Sequence, residues 1–264
     1  MKNFQRRLKA RYGLWAVVTG ASSGIGREMA LRLAESGLNL VLVGRSQATL
    51  EQMANDLSDR YEIEVRSVIQ DLSVERSLET LAAQTQNLEV GLLVAAAGFG
   101  TSGAFLNCRL EQEVEMLHVN CRSLMGLTWH FAQRFAKQRR GGIVLMSSIV
   151  GFQGMPFAAH YAATKAYVQT FAEALNVELA PLGVDVIASA PGPTNSGFAD
   201  RAGMKMGKAL SAAVVAQGTL QALGRKSTVL PGFLSKLLTY SLLPLPRWAR
   251  VRIMGGVMKS MTKH

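Results

Sequence analysis

A chain of 264 residues with 48% hydrophobic side chains is long enough to bury one large α/β core, and nothing in its composition asks for a second domain. Its two cysteines, Cys108 and Cys121, exclude a disulfide framework and point to a reducing, cytoplasmic setting. The net charge of +11 sits at the ends: residues 1–12 hold five basic residues and 201–264 hold eleven, neither segment with an acid.

No signal peptide and no apolar run of membrane-spanning length are read, and the basic ends lack a groove-reading motif, so neither a spanning helix nor nucleic-acid binding is expected. An anionic membrane surface is the preferred partner for the basic ends. No metal site is expected.

In chain order, the first twelve residues read as a short basic amphipathic helix with Phe4 and Leu8 on one side. Trp15 to Thr19 is an apolar, β-branched strand. Gly20, Gly24 and Gly26 follow in a GxxxGxG spacing, and a helical pattern runs over 27–36. Strand, glycine turn and helix N-terminus together suit a diphosphate: glycine lets the backbone approach, and free N–H groups and the helix dipole receive the anion. Gly20, Ser22, Ser23, Gly24, Ile25 and Gly26 are therefore candidate cofactor contacts. A second strand, Asn39 to Val43, ends at Gly44-Arg45-Ser46. A carboxylate here would accept from an adenosine ribose, whereas an arginine accommodates a 2′-phosphate, so Arg45 favours NADP(H) over NAD(H).

A helix over 47–60 and a strand over 64–69 lead to Asp71-Leu72-Ser73, with Asp71 and Leu72 placed beside the adenine and Ser73 as a helix N-cap. A strand over 92–96 runs into Ala97-Gly98, a helical stretch over 110–137 carries Asn120, and further strands are read over 142–147, 184–190 and 227–230. A long helix spans 157–180, and the strand before Pro191-Gly192-Pro193-Thr194 is the sixth. Alternation at this spacing implies a doubly wound, mostly parallel sheet with helices on both faces.

Tyr161 and Lys165, four apart in a helical segment, share one face, and Ser148 lies just past a strand's carboxyl end. A nearby ammonium favours phenolate and would bring the Tyr161 phenol towards neutral pH, while Ser148 would hydrogen-bond a substrate carbonyl.

With the glycine turn, Asn120, Ser148, Tyr161, Lys165 and Pro191-Gly192 in this order, residues 13–231 resemble the single-domain short-chain dehydrogenases/reductases. The resemblance implies a seven-stranded Rossmann-type sheet and a homodimer or homotetramer paired through the two long helices. It also implies roles. Tyr161 is general acid/base; Lys165 lowers its pKa and binds the nicotinamide ribose; Ser148 orients the carbonyl; Asn120 holds a water leading to solvent. Pro191, Gly192 and Thr194 would lie against the nicotinamide, and Ala97 and Gly98 against the cofactor backbone. The family's usual Asn-Asn-Ala-Gly is here Ala95-Ala96-Ala97-Gly98, so another group must support the sheet.

The expected domain covers 1–231, with a lid over about 195–226 and a basic, apolar extension over 232–264. The pocket walls would be Phe99, Phe105, Phe152, Met155, Phe157, Phe198, Met204, Met206 and Leu210, with Arg201 and Lys205 in reach, which suits a lipophilic ketone or aldehyde, acyl-chain or steroid-like. The extension reads either as a surface-lying membrane helix or as a helix pair packed on the domain or a subunit interface. The functional expectation is an oxidoreductase; the rival is a non-catalytic NADP(H)-binding sensor or partner-binding protein.

Overall fold

Six runs of aliphatic and β-branched residues form the body of the sheet: β1 (Trp15–Thr19), β2 (Asn39–Gly44), β3 (Val65–Ile69), β4 (Val90–Ala95), β5 (Gly141–Met146) and β6 (Val184–Ser189). With the two-residue β9 (Thr228–Val229) they pair in parallel in the order β3-β2-β1-β4-β5-β6-β9. A second, minimal pair joins β7 (Thr194–Asn195) to β8 (Leu210–Ser211). The computed structural model describes residues 2–204, 207 and 209–261, except for the side chains of 2–6 and 200. Phe4, Lys205, Met206 and Lys263 thus lie outside the described side chains.

Alternation along each strand feeds two cores. Ala16, Val18, Leu40, Leu42 and Val94 meet α2 (Gly24–Ala34), α3 (Gln47–Tyr61) and α9 (Ala212–Ala222) on one face. Val17, Val41, Leu93, Ile143 and Leu145 meet α4 (Ser77–Thr85), α6 (Leu124–Gln138) and α7 (Ala159–Leu179) on the other. Each such Val or Leu contributes about 1.5–3 kcal/mol by leaving water.

The N-terminal helix α1 (Lys2–Tyr12) is docked, with Leu8 and Tyr12 fully buried. The Tyr12 hydroxyl donates to Asp185 Oδ2 at 2.8 Å, and the Arg11 guanidinium donates to both oxygens of the same carboxylate. Arg7 donates to the carbonyls of Leu220 and Leu223 at the end of α9. Two of the basic residues read as a surface signal therefore hold the helix to the domain.

Two further sequence expectations differ. Ser73 does not cap a helix: its N–H and hydroxyl both donate to Asp71 Oδ1 at 2.8 Å, closing a turn, and α4 begins only after Arg76. The stretch over 110–137 is helical throughout but not uniform: α5 (Leu110–Leu117) passes through a π-helical turn over His118–Ser123 into α6.

Thr19 resolves the missing asparagines. Its hydroxyl accepts the Ala97 N–H at 3.1 Å and lies 3.5 Å from the Val94 carbonyl, bridging the ends of β1 and β4, while Ala95 packs as an apolar residue. Thr19→Val keeps the shape and leaves the Ala97 N–H without its acceptor. Urea denaturation is expected to show a loss of about 1–2 kcal/mol, and an unchanged midpoint would refute the bridge.

Candidate active site

The order of the strands reverses between β1 and β4, and the turns after these two strands meet at the crevice this opens. A Cβ on Gly20 would stand 2.8 Å from the Ala97 Cα, and one on Gly26 would stand 2.3 Å from the Gly20 carbonyl oxygen. Gly20 and Gly24 also hold φ of +66° and +54°. Only glycine fits, and the turn delivers the N-terminus of α2 to a cleft of about 240 Å³.

Every cofactor residue read from the first half of the sequence lines that cleft: Gly20, Ser22, Ser23, Gly24, Ile25, Gly26, Arg45, Asp71, Leu72, Ala97 and Gly98. Arg45 lies 3.9 Å from an Asp71 oxygen and 3.6 Å from Glu115. Backbone and side-chain hydrogen bonds from Ser73 hold the Asp71 carboxyl below its ordinary range against the opposing effect of burial. The turn is pinned from behind, where the Ser123 hydroxyl donates to the Leu72 carbonyl. Sequence reasoning missed Glu115 and Phe99 here, and placed Arg201 at the substrate instead. Arg201 crosses from the short helix α8 (Phe198–Arg201) to stack over Phe99 at 4.0 Å and reach Glu115 at 3.5 Å.

Gly98, Ile25, Ser196 and Phe198 also line a second, contiguous cavity of about 370 Å³. Tyr161, Lys165, Ser148, Pro191, Gly192 and Thr194 lie on it. Tyr161 sits in the first turn of α7, and Lys165 one turn later donates to the Met146 carbonyl at the end of β5, 2.8 Å away. The turn carrying Ser148 presses on this helix: a Cβ on Gly151 would lie 2.7 Å from the Lys165 carbonyl oxygen. The Ser148 hydroxyl donates to the Pro191 carbonyl and accepts the Val150 N–H, each at 3.4 Å, which sets it on the cavity wall.

The charges differ from expectation. Burial pushes the Tyr161 phenol up, opposed in part by the nearby Ser148 hydroxyl, and the Lys165 ammonium, 5.8 Å from the centre of the Tyr161 ring, gives its hydrogen bond to the Met146 carbonyl. Burial also holds Lys165 down at about 8. Asn120, in the π-helical turn and fully buried, spends its amide on the protein: Nδ2 donates to the Phe99 carbonyl at 2.8 Å and to Thr164 Oγ1 at 3.1 Å, and Oδ1 accepts the Phe99 N–H.

Of the expected pocket walls, Met155, Phe198 and Met204 line the cavity. Phe99 faces the nucleotide cleft, Phe157 and Phe105 turn to neighbouring surface grooves, Leu210 packs on the sheet side, Phe152 is off the lining, and Met206 is outside the described residues. The remaining wall comes from the C-terminal extension. It folds into α10 (Gly232–Tyr240) and α11 (Arg247–Met261); α10 contributes Leu238, the turn between the helices Leu242, and α11 Ile253, Met254, Val257 and Met258. The fully buried Ser235 ties α10 to the site by accepting the Gly192 N–H at 2.8 Å. Arg250 donates to the Leu243 and Leu245 carbonyls and fixes the turn between the helices.

Residues 14–206 match the sequence pattern of the short chain dehydrogenase family. The chain belongs to that family. It is 32% identical to the 7beta-hydroxysteroid dehydrogenase of Clostridium sardiniense over 86% of this chain and 89% of that protein. A solved structure from work on 7beta-hydroxysteroid dehydrogenase stereoselectivity superposes with a TM-score of 0.87 at 26% identity, covering 94% of this chain and 98% of the other. The short-chain dehydrogenase from Sphingobium yanoikuyae, solved in complex with NADPH, superposes with a TM-score of 0.81 at 29% identity, covering 91% and 95%.

In this short-chain dehydrogenase the depressed Lys165 ties stability to pH. Between about 8 and 10.5 the unfolded chain still binds the lysine proton while the folded chain has lost it, so unfolding becomes harder as pH rises. Urea titrations from pH 7 to 10.5 are expected to show wild type gaining about 3 kcal/mol relative to Lys165→Met, and parallel profiles would refute the burial of a charged lysine.

Proposed function

We propose that the chain is an NADP(H)-dependent oxidoreductase that interconverts a carbonyl and an alcohol, working as a reductase on a lipophilic ketone or aldehyde of acyl-chain or steroid-like form. The observation that carries this reading is the second cavity, walled largely by methionine and aliphatic side chains and opening onto Ser148 and Tyr161 where it joins the nucleotide cleft. Methionines adapt to irregular apolar ligands. The hydroxysteroid activity named for the Clostridium sardiniense relative points the same way.

The glycine cradle fits a dinucleotide, since a side chain at Gly20 or Gly26 would fill it. The residues from Gly20 to Gly26 would hold the diphosphate, Arg45 the 2′-phosphate, and Asp71 and Leu72 the adenine. Ala97 and Gly98 would lie along it, Lys165 and Tyr161 would hold the nicotinamide ribose, and Pro191, Gly192 and Thr194 would back the ring. When bound, the nicotinamide supplies the hydride.

The protein's own part is position and proton. Ser148 and Tyr161 hold the carbonyl oxygen, and Tyr161 gives it a proton. Burial keeps the phenol protonated at neutral pH, the form an acid in reduction needs. Lys165, charged below about 8, offsets the phenolate left behind. Asn120 braces Phe99 and Thr164 behind it.

Residues 1–231 would form the nucleotide-binding unit, with its lid over about 195–226, and 232–264 the cavity wall. Among the described residues no helix is long and apolar enough to cross a membrane. A cytoplasmic location belongs to this reading, with a homodimer or homotetramer paired through α5–α6 and α7, which expose Trp129 and Val177, and a peripheral membrane contact through the basic tail.

Tyr161→Phe is expected to lower NADPH-dependent ketone reduction about 1,000-fold while moving the NADPH dissociation constant, read by fluorescence titration, less than about threefold. Along a series of ketones, each added methylene should raise kcat/KM by up to about fourfold, the equivalent of about 0.8 kcal/mol. A polar, sugar-like substrate reduced far better would overturn the lipophilic assignment. Arg45→Ala should weaken NADPH by about tenfold and leave NADH unmoved; equal losses would remove the 2′-phosphate role.

A further inference from the structure

The helix pair that walls the cavity has two unlike faces. Inward, Leu242, Met254 and Met258 line the space above Ser148 and Tyr161. Outward, Phe233 and Trp248 are 78% and 65% exposed, and neither touches the cavity. Between them, Leu238, Ile253 and Val257 do both: they line the cavity and are 37%, 45% and 43% exposed. An apolar path therefore runs from the outer surface of α10 and α11 to the reactive tyrosine.

The rim of this face is cationic. Lys236, Arg247 and Arg252 are exposed on these two helices, and the Arg252 guanidinium lies 5.7 Å from the centre of the outward Trp248 ring. From 232 to 264 the sequence holds six basic residues and no acid. That charge selects the occupant. A second copy of this chain packed face to face would set the same cations against each other with no carboxylate from this segment to answer them. An anionic lipid surface supplies both halves of the match, negative headgroups for the rim and an apolar layer for Phe233 and Trp248.

We propose that the outer face of α10 and α11 lies on an anionic lipid surface, and that the cavity loads its lipophilic carbonyl substrate from the bilayer between these helices. The proposal rests on the reading of the site as a reductase of lipophilic carbonyls. It assigns the extension two tasks at once, wall and portal, and accounts for large apolar side chains left in water beside a cavity made for apolar ligands.

The test is flotation of the full chain with vesicles of phosphatidylcholine alone or with about 30% phosphatidylserine, at low and high salt. The floated fraction should rise about tenfold with the anionic lipid and fall again with salt. Phe233→Ser/Trp248→Ser should abolish flotation while leaving the reduction of a short, water-soluble ketone unchanged, because neither residue lines the cavity. Anionic vesicles should also speed the wild type, but not this variant, on a long-chain ketone dissolved in the bilayer.

Wild type that stays at the bottom of the gradient, floats equally with neutral vesicles, or floats equally after the double substitution overturns the proposal. So does a double variant whose only change is a halved mass in light scattering, since a second copy would then be the occupant. The short ketone, assayed without vesicles, separates the two readings. Its turnover without flotation sinks the lipid contact alone, whereas a protein that reduces no ketone sinks the reading of the site and the loading step with it.

Discussion

The turns that follow β1 and β4 touch, and nearly everything of functional interest is built on that touch. Where the strand order reverses, the two turns face each other across a crevice at the carboxyl edge. Gly20 lies against Ala97 with no room for a side chain, and Gly26 packs α2 onto the same turn. The Thr19 hydroxyl ties the two sides together from below. A backbone held this closely presents its N–H groups to a ligand without needing side chains to do so, which explains how the chain tolerates Ala95-Ala96 where the family usually has asparagines. In this chain Thr19, on the neighbouring strand, supplies the bridge.

A buried ammonium organises the other half of the site. Lys165 is desolvated, and the free energy this costs is offset in part by its hydrogen bond to the Met146 carbonyl. The elements around it are correspondingly constrained: the Gly151 turn presses on the helix backbone at Lys165, and the π-helical turn directs Asn120 onto the Phe99 backbone and Thr164. Ser148, Tyr161 and Lys165 thus come from a turn and two levels of one helix, yet their relative positions follow from close backbone contacts rather than from flexible side chains. That rigidity is what a proton donor needs.

The C-terminal extension changes the character of the cavity. Beside Tyr161 the rest of the chain supplies Met155, Phe198 and Met204 to the cavity wall, and the extension supplies Leu238, Leu242, Met254 and Met258. Together they make a lined apolar chamber, anchored through Ser235 to the turn at Gly192. Extension and cavity are thereby joined through a single hydrogen bond to a backbone N–H, so a shift of α10 would be felt at the turn beside Gly192.

The sequence by itself determined the local elements and which side chains share a face. β-Branched runs mark buried strands wherever both faces of a sheet are covered, glycines at 20, 24 and 26 mark a turn no other residue can make, and a four-residue spacing puts Tyr161 and Lys165 on one helix face. These signals are legible because each depends on neighbours within a few residues. The tertiary structure alone decided where long side chains went. Arg7 and Arg11 look like surface charge until α9 and Asp185 arrive beside them, and Arg201 belongs to the nucleotide cleft only because α8 crosses it. The apolar extension could equally have met lipid, a partner or its own domain; its inner face chose the domain because an open apolar recess lay within reach. Composition records how much apolar surface must be covered, and only the packed chain shows what covers it.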